Sequence, residues 1–80
     1  MMNTDQTLQR ILSLAANLFE REVTTLSADD DFFEALSIDS MQAMEMLTDL
    51  ESEFGVEIPD YELADIRTFR ELVTVIQRRL

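Results

Sequence analysis

The strongest structural signal in the chain lies in residues 39–60, which read DSMQAMEMLTDLESEFGVEIPD. Apolar residues recur there at intervals of three or four, at Met41, Met44, Leu47, Leu50 and Phe54. This spacing predicts one apolar face of an amphipathic helix. Asp39 or Ser40 can cap its N-terminus, with Gln42 reaching back if Asp39 is the cap, and Gly55 is a stop signal. A helix is therefore expected over about residues 40–54.

Upstream, apolar residues with the same spacing predict a first helix over about residues 4–20. The connection 21–39 is long for a helical bundle, where links commonly have about two to eight residues. It contains side chains too apolar for a solvated loop, at Phe32, Phe33, Leu36 and Ile38. Ser27 with Asp30 could cap a short helical turn in it. We therefore expect this connection to pack across one end of the bundle.

Downstream, Pro59 suits the first turn of a helix, and the acids at positions 60 and 62 favour the positive end of its dipole. A short helix is therefore predicted over about residues 60–65. Thr68 and Glu71 fit a capping box for a last helix over about residues 69–79. Together these elements predict an all-α four-helix bundle, with three longer helices and one short helix, in a single domain covering residues 1–80.

The composition excludes most catalytic chemistry. Cysteine, histidine and lysine are absent, and all six basic residues are arginine. This rules out disulfides, thiolate metal sites, cysteine nucleophiles, Ser-His and Ser-Lys dyads, and imidazole acid–base catalysis. Only carboxylates, hydroxyls and one tyrosine remain, and nothing marks a pocket for them. We therefore predict that the protein is not an enzyme.

Four clustered acids invite a calcium interpretation, namely Asp29, Asp30, Asp31 and Glu34. An EF-hand loop of about twelve residues needs glycine at its sixth position and glutamate at its last. A loop starting at Asp29 has no glycine there and ends on Ser40, and starts at the next two residues fail as well. No specific metal site is predicted, although clustered carboxylates allow weak divalent binding.

The net charge of −11 is unevenly distributed, because residues 22–66 contain fourteen acids and no base. Such a field repels nucleic acids and anionic membranes and attracts basic protein surfaces. Repulsion among the acids also predicts that added salt or magnesium stabilises the fold. The first residues lack a signal peptide, and no segment has the roughly 20 apolar residues of a membrane span. We expect a cytoplasmic monomer that binds basic protein partners.

Ser40 is the candidate functional residue. It opens the predicted helix over about residues 40–54, and a hydroxyl at the positive end of a helix dipole is well placed to hold a phosphate ester. If Asp39 caps the helix, the Ser40 hydroxyl lies free in the first turn. On these features alone, a modification site at Ser40 and a simple capping role for Asp39 or Ser40 both stay open, and the two are compatible.

The motif Asp39-Ser40-Met41, with an apolar loop before it and an acidic helix after it, resembles the acyl carrier protein family. The hallmark of that family is an Asp-Ser-Leu motif opening the second helix. The match continues through LESEFGVEIPD at residues 50–60. It covers nearly the whole chain, including the long loop between helices one and two and the short third helix.

This resemblance implies a function for Ser40. In the family, a phosphopantetheinyl transferase that uses magnesium transfers 4′-phosphopantetheine from coenzyme A to the motif serine, and the new thiol carries acyl groups as thioesters. A chain without cysteine would gain its only thiol in this way. The expected function is a free-standing carrier for fatty acid or polyketide-type biosynthesis by separate enzymes.

Two alternatives remain open at this point. The motif fixes the attachment chemistry and not the cargo, so an aminoacyl or peptidyl carrier loaded by an adenylating ligase is the first alternative. An unmodified acidic helical adaptor that binds a basic protein is the second.

Three positions differ from the family pattern. Ser37 stands where the family commonly has glycine, and a left-handed turn there would cost about 1–2 kcal/mol. Met41 replaces the usual leucine, and Gln42 stands where fatty-acid carriers often have another acid. These changes favour a carrier dedicated to a specialised pathway.

In the family, this helix is the usual recognition surface for arginine and lysine on partner enzymes. The predicted partner contacts are Asp39, Met41, Glu45 and Asp49, the last two being close neighbours on the helix. The alternative interpretation of these acids is that they form a solvated helix face with no part in docking. Adaptable side chains that could line an acyl pocket, or pack in the core, are Met41, Met44, Met46 and Leu47.

Overall fold

The helix boundaries largely follow the capping signals of the sequence. The computed structural model describes residues 3–80. Five α-helices form in this range, namely α1 (Thr4–Leu18), α2 (Phe32–Leu36), α3 (Ser40–Phe54), α4 (Asp60–Leu63) and α5 (Phe69–Gln77). A 3₁₀ turn covers Val23–Thr25, and the described residues contain no β-strand. The predicted all-α architecture is confirmed, and the two initial methionines lie outside the described residues.

Three predicted helices end earlier than expected, for local reasons. Helix α1 stops at Leu18 because Glu20 adopts positive φ (54°) and the N–H of Arg21 bonds back to the Ala16 carbonyl at 2.8 Å. The ends of the predicted third and fourth helices close with tighter i→i+3 bonds, from the Asp65 N–H to the Glu62 carbonyl at 3.2 Å and from the Arg79 N–H to the Ile76 carbonyl at 2.9 Å. Such turns commonly close a helix end.

The predicted turn in the long connection is a complete short helix, α2, with a different cap. Asp31 is its N-cap and accepts the N–H groups of Phe33 (2.9 Å) and Glu34 (3.3 Å). Ser27 and Asp30 do not cap a helix as predicted. They close a turn of their own, because the Ser27 N–H donates to the Asp30 carboxylate at 2.9 Å. Helix α2 begins at Phe32, which is fully buried.

The core lies between the apolar faces of α1, α3 and α5, and α2 closes one end of it. The largest fully buried side chains come from four helices: Ile11, Phe32, Leu36, Met46, Leu47, Leu50, Phe69, Leu72 and Ile76. The rings of Phe32 and Phe69 have centroids 6.0 Å apart, which ties α2 to α5. The predicted packing of the connection across the bundle end is confirmed.

Backbone and ion pairs fasten the connection before α2 to the start of α5. The Phe32 N–H donates to the Arg67 carbonyl and the Arg70 N–H to the Ala28 carbonyl, both at 2.8 Å. Ion pairs join Arg67 Nε to Asp31 Oδ2 at 2.8 Å and Arg70 Nε to Asp29 Oδ1 at 2.7 Å. The acidic stretch of the sequence is therefore partly neutralised by arginines that follow it in the chain.

This fastening lowers three carboxyl pKa values. The hydrogen bond and charge of Arg70 lower the pKa of Asp29. Loss of hydration raises the pKa of Asp31, but hydrogen bonds from Arg67 and from the start of α2 outweigh it, so the net shift is downward. The N–H groups of Arg67 and Thr68 lower the pKa of Glu71.

These shifts predict a loss of stability in acid. A carboxyl whose folded pKa is lowered stabilises the fold above its ordinary pKa, here 3.8 for aspartate and 4.5 for glutamate, and stops doing so as pH falls through the lowered value. Denaturant unfolding at pH 5 and pH 3 checks this. The triple variant Asp29→Asn, Asp31→Asn, Glu71→Gln should lose less stability than the native chain. Protonation of the other acids relieves charge repulsion in the native chain and in the triple variant alike. Equal losses of unfolding free energy in the two proteins between pH 5 and pH 3 would therefore contradict the prediction.

Candidate functional site

Helix α3 begins with a complete capping box. The Asp39 side chain accepts the Gln42 N–H at 2.9 Å, and the Gln42 side chain accepts the Asp39 N–H at 3.1 Å. Ser40 is consequently the first helical residue and is exposed. No hydrogen bond engages its hydroxyl within residues 3–80. The hydroxyl is therefore free at the positive end of the α3 dipole, as the sequence predicts for an Asp39 cap.

The turn before α3 is held by left-handed backbone at Ser37 (φ 54°, ψ 49°). There the Ile38 N–H bonds back to the Phe33 carbonyl at 3.0 Å. Arg21 donates to the carbonyls of Phe19 (2.8 Å) and Leu36 (2.9 Å), which joins the ends of α1 and α2. The turn that precedes Ser40 is thus held by its own backbone hydrogen bond and by the side chain of Arg21.

Ser37→Gly is expected to stabilise the protein by about 0.5–1 kcal/mol. Relief of the left-handed strain yields about 1–2 kcal/mol. The greater freedom of glycine in the unfolded chain removes about 0.5–1 kcal/mol of this. Denaturant unfolding measures the difference. The matched control Ser52→Gly, on the exposed face of α3, should destabilise by about 0.5 kcal/mol. Equal effects of the two changes would contradict the strain at Ser37.

Ser40 lies on a cleft of about 360 Å³ built from three segments of the chain. The other lining residues come from α2, α3, α4 and the α4–α5 loop: Phe33, Met44, Asp60, Leu63, Ala64, Ile66 and Arg67. The lining mixes apolar and polar groups, with one acid and one base beside the serine. It can accommodate the first part of a flexible tether whose anionic end is bonded at Ser40.

The donor set also fits a phosphate diester on Ser40. The first N–H groups of a helix have no intrahelical acceptor, and Asp39 takes the one from Gln42. Those of residues 40 and 41 keep no intrahelical acceptor at the helix start that carries the serine, and such N–H groups commonly bind phosphate at helix N-termini. Arg67 adds a cation in the same cleft.

Capping geometry alone does not single out Ser40. Thr4 is likewise the first residue of a helix, and it follows Asn3, which forms a capping box with Gln6. The two starts differ in their surroundings, since Thr4 lies on a smaller cleft of about 110 Å³. The larger cleft beside Ser40, and not the helix start by itself, distinguishes the candidate site.

A family model described as the phosphopantetheine attachment site matches residues 9–76, which include α3 and Ser40. The chain belongs to the acyl carrier protein family. Members of this family carry covalently attached 4′-phosphopantetheine, have no catalytic activity of their own, and interact with a phosphopantetheinyl transferase and with biosynthetic enzymes. The resemblance seen in the sequence is confirmed.

Relatives of this carrier match it over nearly their whole length. Acyl carrier proteins from Rickettsia canadensis (strain McKiel) and Rickettsia prowazekii (strain Madrid E) are each 29% identical over 79 residues, covering 99% of this chain and 92% of theirs. A solved structure of the acyl carrier protein from Enterococcus faecalis has a TM-score of 0.79 and 29% identity, and the match covers 99% of this chain and 100% of that one.

The carrier places the predicted partner residues on two sides of α3. Asp39, Met41 and Glu45 are exposed, and Met41 has 83% of its surface accessible. Asp49 is half-buried on a separate groove between α1 and α3, which Arg10 also lines. The structure therefore brings three of the four residues to the outward face near Ser40. Their part in partner binding remains a prediction.

The four candidate pocket side chains also separate. Met46 and Leu47 are fully buried in the core, Met44 lines the Ser40 cleft, and Met41 points outward. Core packing is thus the correct interpretation for two of them. Sequence reasoning did not find Arg67, Phe33 or Asp60 as cleft residues. The only available signal was that Arg67 is the first base after the acidic stretch.

Two further findings concern the described residues of the carrier. Between residues 3 and 80, the carboxylate side chains form no group of three or more that could hold a metal ion. In the same range, no helix has the length and apolar character needed to cross a lipid bilayer.

Substitutions of Asp39 are expected to distinguish two roles of its side chain, namely capping α3 and binding partner enzymes. Asp39→Ala should cost about 1 kcal/mol of unfolding free energy because it removes the cap, whereas Asp39→Asn keeps a capping oxygen and should cost little. Both remove an exposed charge, which should lower kcat/KM for loading by a transferase about twofold to fivefold, the factor for about 0.4–1 kcal/mol.

The control for the Asp39 variants is Asp5→Asn, in the first turn of α1. It removes the same charge away from the Ser40 cleft and should leave loading kinetics unchanged. Unaltered kcat/KM in the Asp39→Asn variant would show that this carboxylate only caps α3.

Proposed function

We propose that this protein carries acyl intermediates as thioesters on a 4′-phosphopantetheine attached to Ser40. The single observation that supports this assignment is the free hydroxyl of Ser40, exposed at the start of α3 on a cleft that also holds a cation. Attachment would form a bond between the serine Oγ and the pantetheine-side phosphorus of the coenzyme A pyrophosphate. The bond from that phosphorus to the bridging oxygen would break, and adenosine 3′,5′-bisphosphate would leave with that oxygen. The proton of the hydroxyl would pass to a base on the transferase, because the chain has no histidine or lysine.

We further propose that separate cytoplasmic enzymes of fatty acid or polyketide-type biosynthesis visit the carrier in turn. The whole chain, residues 1–80, would act as one monomeric domain. The outward face of α3 around Met41 and Glu45 is exposed and lacks basic residues. Opposite charges across a docking surface increase association rates and select partners, so partners with basic patches suit this face.

Intact mass spectrometry after incubation with coenzyme A, magnesium and a broad-specificity transferase tests the attachment. One phosphopantetheinyl group per chain is the expected gain in mass. No gain, under conditions that load a known carrier, would overturn the proposal.

The loaded protein then tests the cargo. Acyl transfer by a fatty acid or polyketide acyltransferase, with no loading by an adenylating ligase, is expected. Loading by amino acid-adenylating enzymes alone would instead identify an aminoacyl or peptidyl carrier, the alternative that the motif leaves open.

A further inference from the structure

Among residues 3–80, Arg67 is the one cation that lines the Ser40 cleft. Two acids lie near the same serine, since Asp60 lines the cleft and Asp39 precedes Ser40. A diester on Ser40 would add a further negative charge between these acids, on a chain whose net charge is already −11. A positioned cation in the cleft would offset that repulsion.

The main chain at Arg67 is fixed in two directions. Its N–H donates to Glu71 Oε1 at 2.8 Å, and its carbonyl accepts the Phe32 N–H at 2.8 Å. These bonds tie the loop before α5 to both α5 and α2. The side chain therefore starts from a backbone that is held in place.

The guanidinium of Arg67 is also oriented. Its Nε bonds Asp31 Oδ2 at 2.8 Å, and its central carbon lies 5.1 Å from the centroid of the Phe33 ring. Stacking on an aromatic ring and one strong hydrogen bond hold the plane of an arginine fork. Within residues 3–80 the two Nη groups have no hydrogen-bond partner, and the side chain is 64% exposed.

Asp31 neutralises the positive charge of Arg67 only in part. The other oxygen of Asp31 accepts the N–H groups of Phe33 and Glu34 at the start of α2, so its negative charge is shared with that helix end. The arrangement leaves Arg67 with two free donor groups facing solvent beside the cleft. Planar forks of this kind bind phosphate oxygens with two parallel hydrogen bonds.

We propose that Arg67 is a positioning residue for the phosphodiester carried on Ser40, its Nη groups donating to the non-bridging phosphate oxygens. The inference rests on the proposed attachment at Ser40. Its consequence is that the root of the phosphopantetheine tether is held against the cleft and swings less freely than a tether bonded to an unpaired surface serine.

The first test uses the unmutated protein, before and after loading is confirmed by intact mass. The ¹⁵Nη resonances of Arg67 are expected to shift on loading. Those of Arg70 provide the matched control, because Arg70 pairs with Asp29 and does not line this cleft. Loading at Ser40 that leaves the Arg67 resonances unchanged would overturn the role of Arg67 alone. A failure to load would overturn both proposals together.

The second test compares loaded variants by ³¹P NMR. Arg67→Gln should shift and narrow the phosphodiester resonance, because the phosphate loses its partner and moves more freely. Arg67→Lys keeps the charge without the fork and should give an intermediate spectrum. Arg70→Gln should match the native chain. A native-like resonance in folded Arg67→Gln would contradict the proposal, and its folding is checked by circular dichroism.

Discussion

Replacing Ser40 with alanine is expected to abolish loading with phosphopantetheine completely. The proposed attachment needs one oxygen, and the other hydroxyl at the very start of a helix, on Thr4, lies on a different cleft. Stability should change by less than about 0.5 kcal/mol, because Ser40 is exposed and its hydroxyl makes no hydrogen bond within residues 3–80. Intact mass after incubation with coenzyme A and a transferase measures the first effect, and denaturant unfolding measures the second.

Ser52→Ala is the matched control for this variant. It removes an exposed hydroxyl from the same helix, one that lies far from the N-terminal end. This variant should load like the native chain. Continued loading of folded Ser40→Ala would show that the prosthetic group is attached elsewhere.

Replacing Phe32 with alanine is expected to lower the unfolding free energy by about 3–5 kcal/mol. Phe32 is fully buried, and its ring lies 4.8 Å from that of Phe33 and 6.0 Å from that of Phe69, centroid to centroid. A chain of 80 residues has a total stability of only about 4–12 kcal/mol. The variant should therefore be largely unfolded or close to it, as thermal melts and denaturant titrations would show.

Val23→Ala provides the comparison in the same connection. Val23 is exposed, with 37% of its surface accessible, so its truncation should cost less than about 0.5 kcal/mol. A loss below about 1 kcal/mol for Phe32→Ala would contradict the conclusion that α2 closes the core.

The long helices were predictable from local signals. The apolar spacing of α3, the Asp39–Gln42 capping box and the Gly55 stop all act within a few residues of one another. The left-handed turn at Ser37 did not follow from a local signal, because serine does not favour positive φ, and only the glycine common in the family at this position pointed to it. Helix ends were overestimated where the last turn tightened to i→i+3 bonds, since spacing does not distinguish the two kinds of turn.

The cap of α2 depended on distant residues and was missed. Asp31 pairs with Arg67, which lies 36 positions later, and this pairing places the start of α2 against the loop before α5. Nothing near Ser27 and Asp30 in the sequence reveals that partner. The same pairing shows why an unbroken run of acids in the sequence does not produce an equally unbroken negative surface.

The cleft beside Ser40 was only partly predictable. Ser40 itself followed from its place at a helix start and from the resemblance to a known family. Phe33 and Arg67 join it through the packing of α2 and the α4–α5 loop, which no periodicity encodes. The positions that modify the environment of the serine are therefore the ones that required the three-dimensional structure.

Mapping the modified residue tests the attachment at Ser40 most directly. The native chain is loaded with phosphopantetheine, digested, and its peptides are sequenced by tandem mass spectrometry. The added mass is expected on Ser40, at the start of α3. Added mass on Thr4, Ser37 or Ser52, with Ser40 unmodified, would contradict the assignment.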